Sequence, residues 1–181
     1  EVTNIDEIDA DEVIVAIGAT PKRLKIKGIE NTIEACDYLK DNSKAGEKVI
    51  IIGGGLTGCE IALDLYQKGK IPIIVEARND LIAVRGVCLA NSSYLREFFA
   101  LNNVEVHLES AVQEITKDGV KIMNKDGEEI FIEADTVIMS VGYNPKTIPE
   151  TNRKVHLVGD CNEVGNLRTV TWRAWDVGMK I

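Results

Sequence analysis

Gly53, Gly55 and Gly58 stand at the spacing G-x-G-x-x-G within Lys-Val-Ile-Ile-Ile-Gly-Gly-Gly-Leu-Thr-Gly-Cys-Glu, residues 48 to 60. Glycines at this spacing can hold a pyrophosphate. The first permits a tight turn out of a strand, the second lets the backbone approach the phosphates, and the third lets the next helix pack close to the sheet. The loop Gly53, Gly54, Gly55, Leu56, Thr57 and Gly58 is then the candidate cradle. It would set the anion on a helix N-terminus, where unpaired N–H groups and the positive end of the helix dipole favour negative charge.

Glycine turns are common, so the flanking elements decide the reading. Val49 to Ile52 form an apolar run of strand length, and Ile61, Ala62, Leu65 and Tyr66 form one apolar helical face. Ile71 to Val75 make a second apolar strand that ends at Glu76, 18 residues beyond Gly58. The whole unit is strand, turn, helix, strand and acid. A carboxylate at that point accepts hydrogen bonds from adenosine ribose hydroxyls and repels a 2′-phosphate, which favours NADH. Ala77 and Arg78 follow directly. A guanidinium is a natural partner for a 2′-phosphate, so NADPH stays open as the alternative.

The chain has 181 residues and a formal net charge of -8, from 29 acidic and 21 basic side chains. That balance argues against nucleic acid and anionic membrane as partners. No apolar run approaches the roughly 18 residues needed to span a bilayer. Cys36, Cys59, Cys88 and Cys161 are widely spaced and form no paired redox or metal motif. This usage fits a reducing cytoplasm. Cys59 follows the glycine turn, where a lowered thiol pKa is conceivable, but a small buried thiol is the favoured reading. His107 and His156 lie in strand-like runs without a companion and are assigned no catalytic role. The first residue is Glu1, not methionine, which points to a fragment with sequence upstream.

Along the chain, Asp11 to Pro21 reads as a strand, a glycine turn and a proline stop. Thr32 to Leu39 fits a short helix with Ile33, Cys36 and Leu39 on one face, and Ser92 to Asn102 a helix capped near Asn91 or Ser92 that buries Leu95, Phe98 and Phe99. Val104 to Leu108 would extend the parallel sheet. Three alternating segments near 111 to 116, 119 to 124 and 129 to 133, joined by Asp118-Gly119 and Asp126-Gly127, predict an antiparallel meander. Ala134 to Pro145 then echoes Asp11 to Pro21: acid, apolar strand, glycine, proline. Val155 to Val158 is a last strand before Gly159-Asp160-Cys161, and Thr169 to Lys180 begins a helix.

The order Ala-Ile-Gly-Ala-Thr-Pro, Gly-Gly-Gly-Leu-Thr-Gly-Cys-Glu, Val-Gly-Tyr-Asn-Pro and Val-Gly-Asp-Cys resembles the two-dinucleotide-domain flavoproteins of the pyridine nucleotide-disulfide reductase superfamily. Ala90 to Arg96, Gly165 to Arg168 and Trp172-Arg-Ala-Trp175 resemble the C-terminal region of old yellow enzyme-type NADH:flavin oxidoreductases, the 2,4-dienoyl-CoA reductase and enoate reductase group. The resemblance implies an α/β fold: a Rossmann-like NAD(P)H-binding domain with a parallel sheet and an antiparallel β-meander, flanked by partial FAD-domain segments. Residues 22 to 143 would be the NAD(P)H domain, and 1 to 21 with 144 to 181 two strips of an FAD domain.

Ile17 and Gly18, with Ala19, would then line the flavin side of the crossover, and Gly159 and Asp160 would contact the ribityl or pyrophosphate part of FAD. Glu60 matches an acid that reaches toward the nicotinamide carboxamide, although an ordinary first-turn acid favoured by the helix dipole fits equally well. Gly142 matches the backbone against which NADH lies. Two departures stand out: the N-terminal FAD fingerprint is missing, and Thr147 to Lys154 is short. The implied activity is hydride transfer from NADH to FAD for reduction of an activated alkene, with FMN and an iron-sulfur cluster expected in upstream barrel and flavin domains of the same polypeptide. An NADH oxidase or disulfide-type reductase is the second reading, and a non-catalytic NAD-binding module the third.

Overall fold

The computed structural model describes residue 2, residues 4–83 and residues 86–181. The chain forms two compact units, Glu1–Lys22 with Tyr143–Ile181, and Arg23–Gly142. It passes between them twice. The first unit begins with β1 (Glu12–Val15) and β2 (Ala19–Pro21).

The second unit runs through β3 (Thr32–Glu34), α1 (Ala35–Lys40), β4 (Lys48–Ile52), α2 (Leu56–Gln67), β5 (Ile71–Val75), α3 (Leu89–Leu101) and β6 (Glu105–His107). The meander β7 (Ala111–Ile115), β8 (Gly119–Met123) and β9 (Glu129–Glu133) follows, and β10 (Thr136–Met139) returns to the sheet. The parallel sheet has the order β3-β10-β4-β5-β6, and the meander is a separate antiparallel sheet. Alternation along β4 explains its unbroken apolar sequence, because successive side chains leave opposite faces of a strand. Val49 and Ile51 join the helical side with Ile61, Leu65, Leu95 and Phe99. Ile50 and Ile52 join the meander side with Ile115, Val120 and Ile122. Each fully buried side chain of this size contributes about 1.5–3 kcal/mol, so both layers are needed to hold the strand.

Two expected helices are corrected. The predicted helix at Thr32 to Leu39 is divided, since Thr32, Ile33 and Glu34 pair in parallel with Val137, Ile138 and Met139 of β10. The helical remainder buries Ala35 and Tyr38, whereas Leu39 is exposed. Sheet pairing overrides the helical pattern of a short, β-branched segment. The helix expected to be capped near Asn91 or Ser92 starts at Leu89, with Cys88 as N-cap. Ser92 is buried inside its first turn, where its hydroxyl donates to the Leu89 carbonyl at 3.1 Å and so needs no capping position.

The first unit closes with β11 (Tyr143–Pro145), β12 (Lys154–Leu157) and α4 (Leu167–Gly178). β12 pairs in parallel with β1, and β11 in antiparallel with β2. The echo between the two glycine-proline exits thus has a structural cause. They pair with each other, Tyr143 opposite Pro21 and Pro145 opposite Ala19. The short segment before β12 docks on the N-terminal residues, where Arg153 donates to the Asp6 and Ala10 carbonyls. The core of this unit is small, centred on Val13, Val15 and Cys161. No helix among the described residues is long and apolar enough to cross a membrane.

Candidate dinucleotide site

β4, α2 and β5 bring Gly53 to Gly58 and Glu76 together at the C-terminal ends of the parallel strands. The ladder continues past β4, with Gly53 N–H donating to the Val75 carbonyl at 2.9 Å and Ser140 N–H to the Ile52 carbonyl at 2.8 Å. Gly53 has φ +109, and a Cβ there would lie 2.3 Å from the Ser140 carbonyl oxygen. A Cβ on Gly58 would lie 2.0 Å from the Gly53 carbonyl oxygen, so this glycine is what lets α2 approach the strand.

Gly55 differs from both. It has φ -70 and ψ -179, open to any residue, and a Cβ there would meet nothing within 4 Å. Neither backbone conformation nor internal packing requires glycine at this position. Gly55 is also the N-cap of α2 and provides no side-chain cap. The N–H groups of Gly55, Leu56 and Thr57 meet no acceptor among the described residues. Three donors at the positive end of a 12-residue helix are therefore free to bind an anion.

Glu76 stands beside this loop, and its carboxylate is already engaged. Oε2 accepts from Gly54 N–H at 2.6 Å, and Oε1 from Arg78 N–H at 2.8 Å. Each carboxylate oxygen has a further lone pair, so these bonds leave capacity for ribose hydroxyls while fixing the side chain's position. The Arg78 guanidinium turns back on its own loop and donates to the Ala83 carbonyl at 2.6 Å. Ala77, between them, is exposed.

Glu60 is exposed and lies at the fifth position of α2, past the first turn, so the reading of it as a first-turn acid is corrected. Cys59 is wholly buried with Sγ 3.5 Å from the Gly54 carbonyl oxygen. Burial, reinforced by the Glu76 carboxylate, pushes its thiol up to about 12. A lowered thiol pKa is excluded, and Cys59 is a packing residue.

Sequence reasoning missed the underside of the loop. Leu81 and Ile82, both buried, lie beneath the glycine turn, and a Cβ on Gly54 would lie 2.5 Å from Leu81 Cδ2. Ile82 N–H donates to the Gly54 carbonyl at 2.7 Å, and Ile82 adopts φ +53, a left-handed conformation that is strained for a β-branched residue. No sequence signal marks that conformation.

The remaining candidates lie in other parts of the chain. Gly142, at φ +91, is the last residue of the second unit. Ile17 is exposed and Gly18 has φ +74, with its carbonyl accepting from Lys146 N–H at 3.1 Å. Gly159 and Asp160 form a 3-10 turn after β12, and Asp160 Oδ1 accepts from Gly165 N–H at 3.1 Å. This bond orders the approach to the Asn166–Thr169 capping box of α4.

Residues 1–169 match the family model described as pyridine nucleotide-disulphide oxidoreductase. The chain belongs to this family. Membership implies binding of a pyridine nucleotide and a flavin dinucleotide, in keeping with an oxidoreductase domain. Family relatives include a cinnamate reductase of Clostridium sporogenes, 40% identical over 184 residues that cover 98% of this chain and 28% of that protein. An NADH oxidase of Thermoanaerobacter brockii is 32% identical over 98% of this chain and 29% of its own length. Among solved structures, a 2-naphthoyl-CoA reductase superposes with TM-score 0.84 at 28% identity, covering 94% of this chain and 27% of that one. A thioredoxin reductase of T. acidophilum, at TM-score 0.69 and 23% identity over 91% of this chain and 61% of its own, shares the fold. The chain thus spans less than a third of that cinnamate reductase, NADH oxidase and 2-naphthoyl-CoA reductase.

Proposed function

We propose that residues 22–143 form the NADH-binding domain of a larger old yellow enzyme-type flavin oxidoreductase, with 1–21 and 144–181 belonging to its FAD domain. Gly55 carries this reading. It is a glycine that neither fold nor packing needs, at a helix N-terminus with three unanswered N–H donors. Gly53, Gly54, Leu56, Thr57 and Gly58 shape the phosphate cradle, and Glu76, flanked by Ala77 and Arg78, takes the adenosine ribose. Glu60 and Gly142 serve the nicotinamide half, while Ile17, Gly18, Gly159 and Asp160 serve FAD.

NADH, when bound, supplies a hydride that FAD accepts for reduction of an activated alkene, an enoate or enoyl thioester. The work of these residues is positioning, because bringing two cofactors to near-attack distance lowers the barrier without an acid or base from the protein. Cinnamate and 2-naphthoyl-CoA reductases among the relatives support the alkene-type acceptor, and domains holding FMN and an iron-sulfur cluster would lie elsewhere in the polypeptide. The NADH oxidase relative favours a second reading in which oxygen is the acceptor.

Titration of the protein with NADH and NADPH tests the cofactor assignment. NADH should bind more tightly than NADPH to the wild type. A hydrogen bond to a charged group contributes about 1.5–3 kcal/mol, so Glu76→Ala should erode the preference by about tenfold to a hundredfold. Unchanged discrimination in that variant would remove Glu76 from the ribose site.

A further inference from the structure

The carbonyl of Gly54 and the N–H of Gly55 belong to one peptide plane, as do the carbonyl of Leu81 and the N–H of Ile82. Arg96, on α3, donates from Nη2 to the Leu81 carbonyl at 2.5 Å. The N–H of the same peptide plane, on Ile82, donates to the Gly54 carbonyl at 2.7 Å. A trans peptide carries its C=O and N–H on opposite sides. The Gly55 N–H therefore points away from Ile82, and it meets no acceptor among the described residues.

We propose that Arg96 is a positioning residue for the phosphate cradle, acting through two successive peptide units without touching the nucleotide. The proposal rests on the reading of Gly53 to Gly58 as a pyrophosphate site. Asp80 orients the guanidinium, with its Oδ1 3.0 Å from Nε and its Oδ2 2.9 Å from Nη2. The fork thus holds a side chain and a backbone carbonyl of one loop at once. Ile82 keeps its strained left-handed backbone within that grip. A charged donor strengthens the bond it makes and polarises the peptide beyond it. An anion at the Gly55 N–H completes a line of hydrogen bonds from a cation on α3 to the phosphates. This assigns a role to a positive charge in a site that presents no lysine or arginine in the loop itself.

ADP-ribose carries the pyrophosphate and adenosine lacks it, so binding of both by wild type, Arg96→Ala and Arg96→Lys separates positioning from general stability. Arg96→Ala should weaken ADP-ribose by about tenfold and leave adenosine unchanged. Arg96→Lys keeps the charge without the planar fork and should fall between the two. In the free protein, the Gly55 amide proton should move upfield in both variants as its peptide loses polarisation. Wild-type affinity for ADP-ribose in folded variants, or an equal loss for adenosine, would overturn the proposal; should Arg96→Ala not fold, Arg96→Lys decides it. Failure of the wild type to bind ADP-ribose would overturn the site reading and this proposal together.

Discussion

Gly55 and Gly58 lie three residues apart and answer to different constraints. Gly58→Ala puts a methyl group 2.0 Å from the Gly53 carbonyl oxygen, so α2 must move. Overpacking of this kind costs about 1–3 kcal/mol, to be read from a denaturant midpoint. Gly55→Ala enters open space and should change stability by no more than about 1 kcal/mol, the scale of an N-cap exchange. NADH affinity should nonetheless fall sharply in Gly55→Ala, as followed by fluorescence titration. The motif was legible in the sequence as a spacing, but only geometry separates the glycine needed for packing from the one that neither packing nor backbone conformation requires. Cys59 gives a pH-dependent prediction. Its thiol stays protonated in the folded state up to about 12, against an ordinary value of 9.0. As pH rises above 9.0 the unfolded chain loses that proton and the folded chain keeps it. Stability should therefore be unaffected by this group below that point and decline above it, by about 1.4 kcal/mol per pH unit at most. Replacing Cys59 by alanine should flatten this decline in alkaline denaturation curves.

The elements that position the site were mostly legible because their hydrophobic periods are unambiguous. β4, β5 and the three meander strands fall where apolar runs and Asp-Gly turns place them, since a strand buried on both faces leaves a continuous apolar signature. The segment from Thr32 to Leu39 misled because Ile33 and Cys36 satisfy a helical spacing while β10 offers an open edge to Thr32–Glu34. Long-range pairing of this kind has no local trace. It also reassigns the buried residue to Tyr38, whose hydroxyl donates to Asp64 Oδ2 at 2.7 Å from α1 to α2. Tyr38→Phe removes that bond while preserving the ring. A bond to a charged partner of this type is worth about 1.5–3 kcal/mol, and equilibrium unfolding should show a loss within that range. The loop at Leu81 and Ile82 was illegible for another reason. Its left-handed residue is an isoleucine, where composition would direct attention to glycine or asparagine.

At the scale of the whole molecule, the two units differ in how much they bury. The Arg23–Gly142 unit has two full hydrophobic layers around its sheet, whereas the other is organised around Val13, Val15 and Cys161. Hydrogen exchange should report this directly. Amides of Ile50, Ile51 and Ile74 should exchange slowest, and those of β1 and β12 at least about a hundredfold faster. Both tryptophans of the chain lie on α4, Trp172 with 64% and Trp175 with 62% of its surface exposed. No residue of α4 is buried. Emission from the chain alone should therefore resemble tryptophan in water and be readily quenched by acrylamide. In the proposed longer polypeptide it should shift to the blue as the rest of the flavin half covers the helix.

The pairing of β2 with β11 has a consequence for how such a protein can be assembled and altered. Because Tyr143 sits opposite Pro21, the chain leaves for the inserted unit and returns from it at neighbouring points a few ångströms apart. An insertion whose ends already meet adds little loop-closure entropy to its host. Residues 23–142 are thus placed as a graft would be, and their exchange for a homologous unit should preserve the host's register provided that this three-residue ribbon is kept.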